Sequence, residues 1–239
     1  MFIIASYLPF YMATVLILCG GEGKRLRPLT DKIPKPMLAV AGRPMLQHHL
    51  DMFKRAGFTD FVFCTCYKHD VIEKFFGDGS RFGVKIRYSQ EREPLGTSGA
   101  IKLAAGGIKR TVIVVNGDVL HDADPAKIMR YHDEVKKNNP KLLATLFLFQ
   151  MRSPFGIAKL DGHLIRRFEE KPLLSEWLNA GIYVLEPGVI SSLPDKGAIE
   201  TLVFPKLAEK GEIAGYRHTG KWRDIGTIKD YEEAQKEFG

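Results

Sequence analysis

The spacing of apolar positions changes several times along the chain, and each change marks an element. Residues 15–19 form a short apolar run that stops at glycines, the pattern of a buried parallel strand. In residues 44–56, Met45, Leu46, Leu50 and Phe53 share one helical face, and Gly57 supplies a stop. The same reading predicts a strand over 61–67, a helix over 71–76, a strand over 84–88 and a helix over 98–105 ending at Gly106 and Gly107. Residues 111–115 are β-branched and apolar, the composition of a central strand. A helix over 126–137 and an apolar strand over 142–149 follow. Strands alternating with helices through short connections predict an α/β domain with a mostly parallel sheet covered on both faces.

After about residue 151 the pattern shortens. Strand candidates at 157–160, 164–168 and 180–185 are separated by Gly, Asp and Pro, and helices are expected at 201–210 and 231–238. This half reads as a strand-rich lobe joined to the first. No repeat, low-complexity tract or linker divides the chain. One domain over 13–239 is expected, with halves at about 13–150 and 151–239. The apolar, uncharged start lacks the basic residues of a signal peptide, and Pro9 breaks it as a membrane helix. Residues 1–12 therefore read as an upstream extension preceding a start near Met12, or as an added apolar strand or oligomer contact. No membrane association is expected, and a homo-oligomer is left open.

Composition narrows the class. At 239 residues, 45% hydrophobic and 26% charged, the chain can bury a core without disulfides or structural metal. The net charge of +7 fits a lysine-rich solvated surface or an anionic partner. Basic residues are scattered, so nucleic-acid binding is not expected. Three cysteines, Cys19, Cys64 and Cys66, lie in apolar strand-like segments, which points to reduced thiols and a cytoplasmic setting. No second cysteine pair or histidine cluster accompanies them to form a zinc site.

The first strand runs into Gly20-Gly21-Glu22-Gly23-Lys24-Arg25-Leu26. Glycines between strand and helix let backbone N–H groups approach phosphates. A dinucleotide fingerprint would need glycine where Leu26 stands. A P-loop would need glycine at Leu18 and Ser or Thr at Arg25. Both patterns fail. What remains is Arg25, then Arg27-Pro28-Leu29-Thr30, then Pro34-Lys35-Pro36-Met37. Prolines flanking Lys35 hold its backbone extended and fix where the side chain points. Arg25 and Lys35 are thus candidates to clamp a triphosphate, where preorganised cations stabilise charge developing at phosphorus. Further along, Asn116-Gly117-Asp118 closes the central strand, where open α/β sheets bind ligands.

These segments resemble the signature of the sugar-phosphate nucleotidylyltransferases. The usual Gly-Thr-Arg is Gly23-Lys24-Arg25 here; Lys24 departs from the pattern and the arginine is kept. The resemblance extends over about residues 14–230. It implies a Rossmann-like, mixed but mostly parallel sheet of the nucleotide-diphospho-sugar transferase fold, with a strand-rich sugar-binding lobe. Asp118, together with Asp224 in Trp222-Arg223-Asp224-Ile225-Gly226, resembles the family's magnesium-binding pair. Gly156 in Phe155-Gly156-Ile157, Glu170 and Lys171 in Phe168-Glu169-Glu170-Lys171-Pro172, and Asn179 in Asn179-Ala180-Gly181 match its sugar-phosphate segments. By that resemblance Glu170 and Asn179 would contact the sugar and Lys171 its phosphate. The implied reaction joins a nucleoside triphosphate to a sugar 1-phosphate with release of pyrophosphate. Gly20, Gly21 and Gly23 would receive the nucleotide.

Residues 89–99 carry the candidate base reader. Their Glu-x-x-x-Leu-Gly-Thr-x-Gly form, with Glu91, Gly96 and Thr97, resembles the mannose-1-phosphate guanylyltransferases. An ionised carboxylate only accepts hydrogen bonds. Guanine offers two adjacent donors to match it, whereas uracil and thymine offer one flanked by acceptors. GTP is expected on that ground, and mannose 1-phosphate by resemblance. A thymidylyl- or uridylyltransferase and a non-catalytic nucleotide-sugar sensor are the alternatives. The attached β-helix of many relatives, with its acetyltransfer, is not expected.

Overall fold

The computed structural model describes residues 13–239; the segment 1–12, read above as an extension, lies outside the described residues. The first half contains β1 (Thr14–Leu18), the two-residue strands β2 (Ala39–Val40) and β3 (Arg43–Pro44), α1 (Met45–Arg55), β4 (Asp60–Thr65), α2 (His69–Phe76), β5 (Lys85–Gln90) and α3 (Gly96–Ala104). It continues through β6 (Val112–Asn116), β7 (Val119–His121), α4 (Pro125–Asn138) and β8 (Ala144–Phe149). The second half contains β9 (Ile157–Asp161), β10 (Leu164–Glu169), β11 (Leu178–Leu185), α5 (Pro187–Ser192), α6 (Ile199–Leu202) and α7 (Phe204–Glu209). It closes with β12 (Ile213–His218), β13 (Trp222–Asp224) and α8 (Ile228–Phe238).

Seven strands form one sheet in the order β12-β8-β11-β6-β1-β4-β5. Neighbours are parallel except at β11, which runs antiparallel to both β6 and β8. The fold is thus a mostly parallel mixed sheet with helices on both faces. Side chains alternate strictly. Val15 and Ile17 of β1, Phe61 and Phe63 of β4, and Ile113 and Val115 of β6 meet Leu46, Leu50 and Phe53 of α1, Ile72 and Phe76 of α2 and Met129 of α4. Leu16, Val62 and Val114 face the other way, against Ala100 and Ile101 of α3, Val189 of α5 and Phe204 of α7. Each such fully buried side chain contributes about 1.5–3 kcal/mol, so the alternation fixes the register.

A third, smaller core supports the site. Leu26, Leu38, Val40, Met45, Leu120 and Ile225 are buried together with Ala234 of α8. Thr227 starts α8 with a capping box: its hydroxyl accepts the Asp230 N–H, and Asp230 accepts the Thr227 N–H. Tyr231 and Gln235 each donate to the Ala39 carbonyl at 2.6 Å, which pins the chain's last helix against its first turns.

Two expectations are corrected. Residues 180–185 were expected in the strand-rich lobe, but β11 lies inside the main sheet, because Ala180, Ile182 and Val184 are apolar enough to be buried on one face and Tyr183 and Leu185 on the other. Only β9 and β10 form the separate hairpin. The helix expected over 201–210 is two short helices broken at Val203 (φ −120°, ψ −53°). Pro205, which has no N–H to donate, begins the second one. Among the described residues no helix is long and apolar enough to cross a membrane.

Candidate active site

The carboxyl ends of β1, β4 and β6 open into a cleft of about 600 Å³. Gly20, Gly21, Gly23, Arg25 and Lys35 form one wall, Glu91, Gly96 and Thr97 another, and Asn116, Asp118 and Gly226 the floor side. All nine nucleotide-side and catalytic candidates therefore meet in one cavity, although they span residues 20 to 118.

Local geometry explains why these residue types occupy these positions. Gly23 sits at φ +64°, and a Cβ there would lie 2.9 Å from Lys35 Cβ and 3.0 Å from Thr30 Cγ2. The loop thus turns directly over Lys35, and Thr30 Oγ1 donates to the Gly23 carbonyl at 2.9 Å to hold the turn. Gly117 places β6 against β1: a Cβ would meet the Leu18 carbonyl oxygen at 2.7 Å, and its N–H donates to that oxygen. Asp118 is thereby set just past the sheet. Lys35 is buried, and its Nζ donates to Asp118 Oδ2 at 2.7 Å.

Asp224 arrives from the other end of the chain. β13 pairs antiparallel with β7, opposing Asp224 to Val119, and the Ile225 N–H donates to the Asp118 carbonyl at 3.0 Å. Partial desolvation raises the Asp224 pKa above the usual carboxylate value, and the Asp118 charge raises it further, while Lys35 and Arg25 pull it down. A Cβ on Gly226 would lie 3.2 Å from Arg25 Nη2 and 3.4 Å from Asp224 Oδ2, so guanidinium and carboxylate face each other over that glycine. Two carboxylates and two cations thus form one compact group. Among the described residues no cluster of three or more His, Cys, Asp or Glu is placed to hold a metal. Two carboxylates suit an ion that takes its remaining ligands from phosphate and water, as magnesium does.

Glu91 is buried, accepts the Leu95 N–H at 2.9 Å, and presents its other oxygen against Gly20. Burial raises its pKa, and the Leu95 hydrogen bond offsets part of that rise. Thr97 is differently engaged than a free ligand hydroxyl. It donates to Glu200 at 2.7 Å and accepts the Ile199 N–H at 2.9 Å.

The four sugar-phosphate candidates do not line this cleft. Gly156 lies against Glu170: a Cβ there would come within 2.9 Å of Glu170 Oε2 and 2.4 Å of Phe168 Cζ. Lys171 is exposed with φ +47°. Asn179, on β11, accepts the Gly181 N–H and donates to Tyr183 OH.

Several contributors were missed from sequence. Asn116 and Gly226 adjoin the two aspartates and could have been found from those motifs. Asn116 Oδ1 is buried without a partner and its amide packs against Gly181. Cys66 lines the cleft beside Gly20. Glu200 has no local signal, because its partners are 103 and 17 residues away.

A family profile described as nucleotidyl transferase matches residues 14–239. A mannose-1-phosphate guanylyltransferase of Mycobacterium tuberculosis is 38% identical over 92% of this chain and 63% of its own length. A mannose-1-phosphate guanyltransferase of Debaryomyces hansenii is 36% identical over 90% of this chain and 62% of its own. The chain thus spans about six tenths of the length of these curated relatives. Among solved structures, HddC from Yersinia pseudotuberculosis complexed with GMP-PN superposes with a TM-score of 0.73 at 27% identity, covering 95% of this chain and all of that one.

Proposed function

The chain belongs to the nucleotidyl transferase family, and from that premise we propose that it transfers a nucleotidyl group from GTP to a sugar 1-phosphate, with mannose 1-phosphate the favoured acceptor. The observation that carries the proposal is the group of Arg25, Lys35 and Asp118 lining a glycine-rich cleft, with Asp224 close enough to feel their charges. The names of the guanylyltransferase relatives and the GMP-PN complex of HddC support the choice of GTP. So does Glu91, an acceptor-only side chain on the wall beside Gly96.

The reaction attaches an acceptor phosphate oxygen to the α-phosphorus while the bond to the β-phosphate oxygen breaks and pyrophosphate leaves. The acceptor phosphate is already a nucleophile, so no covalent enzyme intermediate is required. Positioning and electrostatics carry the rate. Asp118 holds Lys35 through a hydrogen-bonded ion pair, and Arg25 and Asp224 both lie beside Gly226. When phosphates enter, the two cations turn to them. Lys35 and Arg25 then stabilise charge on the triphosphate and the departing pyrophosphate. Asp118 and Asp224 are the residues that would hold magnesium. That ion, when bound, would neutralise charge on the reacting phosphate oxygens. Lys171, exposed beside Glu170, would offset repulsion between the two anionic substrates. The glycine loop supplies backbone N–H groups to the triphosphate. A cytoplasmic setting, where nucleoside triphosphates are abundant and thiols stay reduced, accords with three free cysteines.

Pyrophosphate release with magnesium, crossing GTP, dTTP, UTP, CTP and ATP against mannose, glucose and N-acetylglucosamine 1-phosphates, tests the proposal. Fastest release with GTP and mannose 1-phosphate is expected. A preference for a pyrimidine nucleotide would refute the base reading and leave the reaction class standing. Release with no pair, together with binding of a nucleotide sugar, would replace the enzyme by a sensor.

A further inference from the structure

Glu200 receives one hydrogen bond on each carboxylate oxygen, from two different ligand regions. Thr97 Oγ1, on the cleft wall, donates to Oε2 at 2.7 Å, and Tyr183 OH donates to Oε1 at 3.0 Å. Tyr183 oxygen in turn accepts Asn179 Nδ2 at 2.9 Å, and Asn179 Oδ1 accepts the Gly181 N–H at 3.0 Å. The bonds form one line, Asn179 to Tyr183 to Glu200 to Thr97, between β11 and the start of α3. The backbone reinforces its far end: Ser98 N–H donates to the Gly197 carbonyl, Gly197 N–H to the Leu95 carbonyl, and Ile199 N–H to Thr97 Oγ1.

The direction of every bond in the line follows from Glu200. An ionised carboxylate has no proton to give. Tyr183 therefore commits its single O–H to Glu200, and its oxygen is left as an acceptor. Asn179 must then turn its amide nitrogen, not its carbonyl, to Tyr183, and its carbonyl to Gly181 N–H. Asn179 is exposed, and its second N–H has no partner among the described residues. Tyr183 cannot evade this arrangement by swinging away, because its ring is buried and packed edge-on against Phe204 with centroids 5.0 Å apart. On the other side, the Thr97 hydroxyl proton is likewise committed, so Thr97 meets a nucleotide through its backbone or remaining lone pair.

We propose that Glu200 is a positioning residue: it sets the orientation of the Asn179 amide toward the acceptor sugar and couples it to the nucleotide-binding segment at Gly96 and Thr97. This rests on the transferase reading above. A purely structural Glu200 would lower stability without linking the two substrates' constants. A coupling Glu200 makes a change on the nucleotide side felt on the sugar side.

The test uses the full chain and the nucleotide and sugar 1-phosphate that the wild type turns over fastest. Steady-state constants and Tm are measured for Thr97→Val, Tyr183→Phe, the double variant and Glu200→Gln. Tyr183→Phe should raise the sugar-phosphate KM about fivefold while the nucleotide KM stays within about twofold. Thr97→Val, which removes no sugar contact, should raise the same sugar-phosphate KM about threefold, and the double variant should be no worse than Tyr183→Phe alone. Glu200→Gln, with one acceptor where two are needed, should raise both KM values. If Glu200→Gln does not fold, the other three variants decide. A wild-type sugar-phosphate KM in Thr97→Val, or multiplied effects in the double variant, would overturn the proposal. Absence of wild-type turnover with every pair would overturn the transferase reading and this proposal with it.

Discussion

The nucleotide-side cleft and the β9–β10 hairpin are built in opposite ways. In the cleft, Lys35 and Glu91 are buried and each is held by a partner, Asp118 and the Leu95 N–H. In the hairpin nearly every residue is exposed, and Leu160, Phe168 and Ile165 keep 68%, 63% and 59% of their surface. The segments leading into and out of the hairpin are tied to each other through Ser153 N–H to Pro172 carbonyl and Leu174 N–H to Met151 carbonyl. An isolated two-stranded hairpin is marginal in water. The candidate catalytic group thus stands at the carboxyl ends of interior strands of the sheet, where a displaced charge would cost most. The proposed acceptor contacts at Gly156, Glu170 and Lys171 flank this lightly packed element.

The sharpest way to break this comparison is at the rigid side. Asp118→Asn should lower kcat about a thousandfold while Tm changes by only a few degrees, since its loss is of charge placement. Near-normal turnover would remove Asp118 from the reaction. Next comes packing. Ile113→Ala, in the sheet centre, should cost about 3 kcal/mol in urea unfolding, whereas Phe168→Ala on the hairpin should cost less than about 0.5 kcal/mol and act on the sugar-phosphate KM instead. Equal costs would erase the distinction.

The sheet side also carries a pH signature. His49 is fully buried, and burial, then the nearby His48, lowers its pKa from 6.5 to about 4 against the opposing pull of Asp118 and a hydrogen bond to the Val119 backbone. The native state resists the proton that the unfolded chain takes up. Stability is therefore full above the unfolded value and falls as pH drops from about 6.5 toward 4, by up to about 3 kcal/mol from this group. His49→Leu should flatten that part of the urea-unfolding profile between pH 7 and pH 4; an unchanged profile would show that the site relaxes. The smallest effect is at the base reader. Glu91→Gln should reduce the preference for GTP over UTP about tenfold in kcat/KM, because the amide presents a donor as well as an acceptor.

Legibility in the sequence followed physical self-sufficiency. Residues 112–115 of β6 and 15–17 of β1 are apolar on both faces, so their burial at the sheet centre was plain. β12 was not, because Gly215, Arg217 and His218 make it a half-polar strand that, among the described residues, pairs in the sheet with β8 alone. β7 and β13 are three residues each and exist through mutual pairing across about a hundred positions. The candidate group could be picked out because Gly117 stands beside Asp118 and Pro34 and Pro36 beside Lys35, although Lys35 opens a short 3-10 turn and is not extended as its prolines suggested. Glu200 could not be read at all, since both its partners come from other elements. The placement of residues 180–185 in the main sheet was missed for a related reason: strand pattern reveals burial and not neighbours.

The proposed reaction activates the α-phosphorus of a nucleotide toward a sugar phosphate. Its most direct test is GTP labelled at the α-phosphorus, incubated with the protein, magnesium and mannose 1-phosphate. Label recovered in a nucleotide sugar, with unlabelled pyrophosphate released in equal amount, is the predicted result. Label remaining in GTP, or appearing as GDP or GMP, would contradict it.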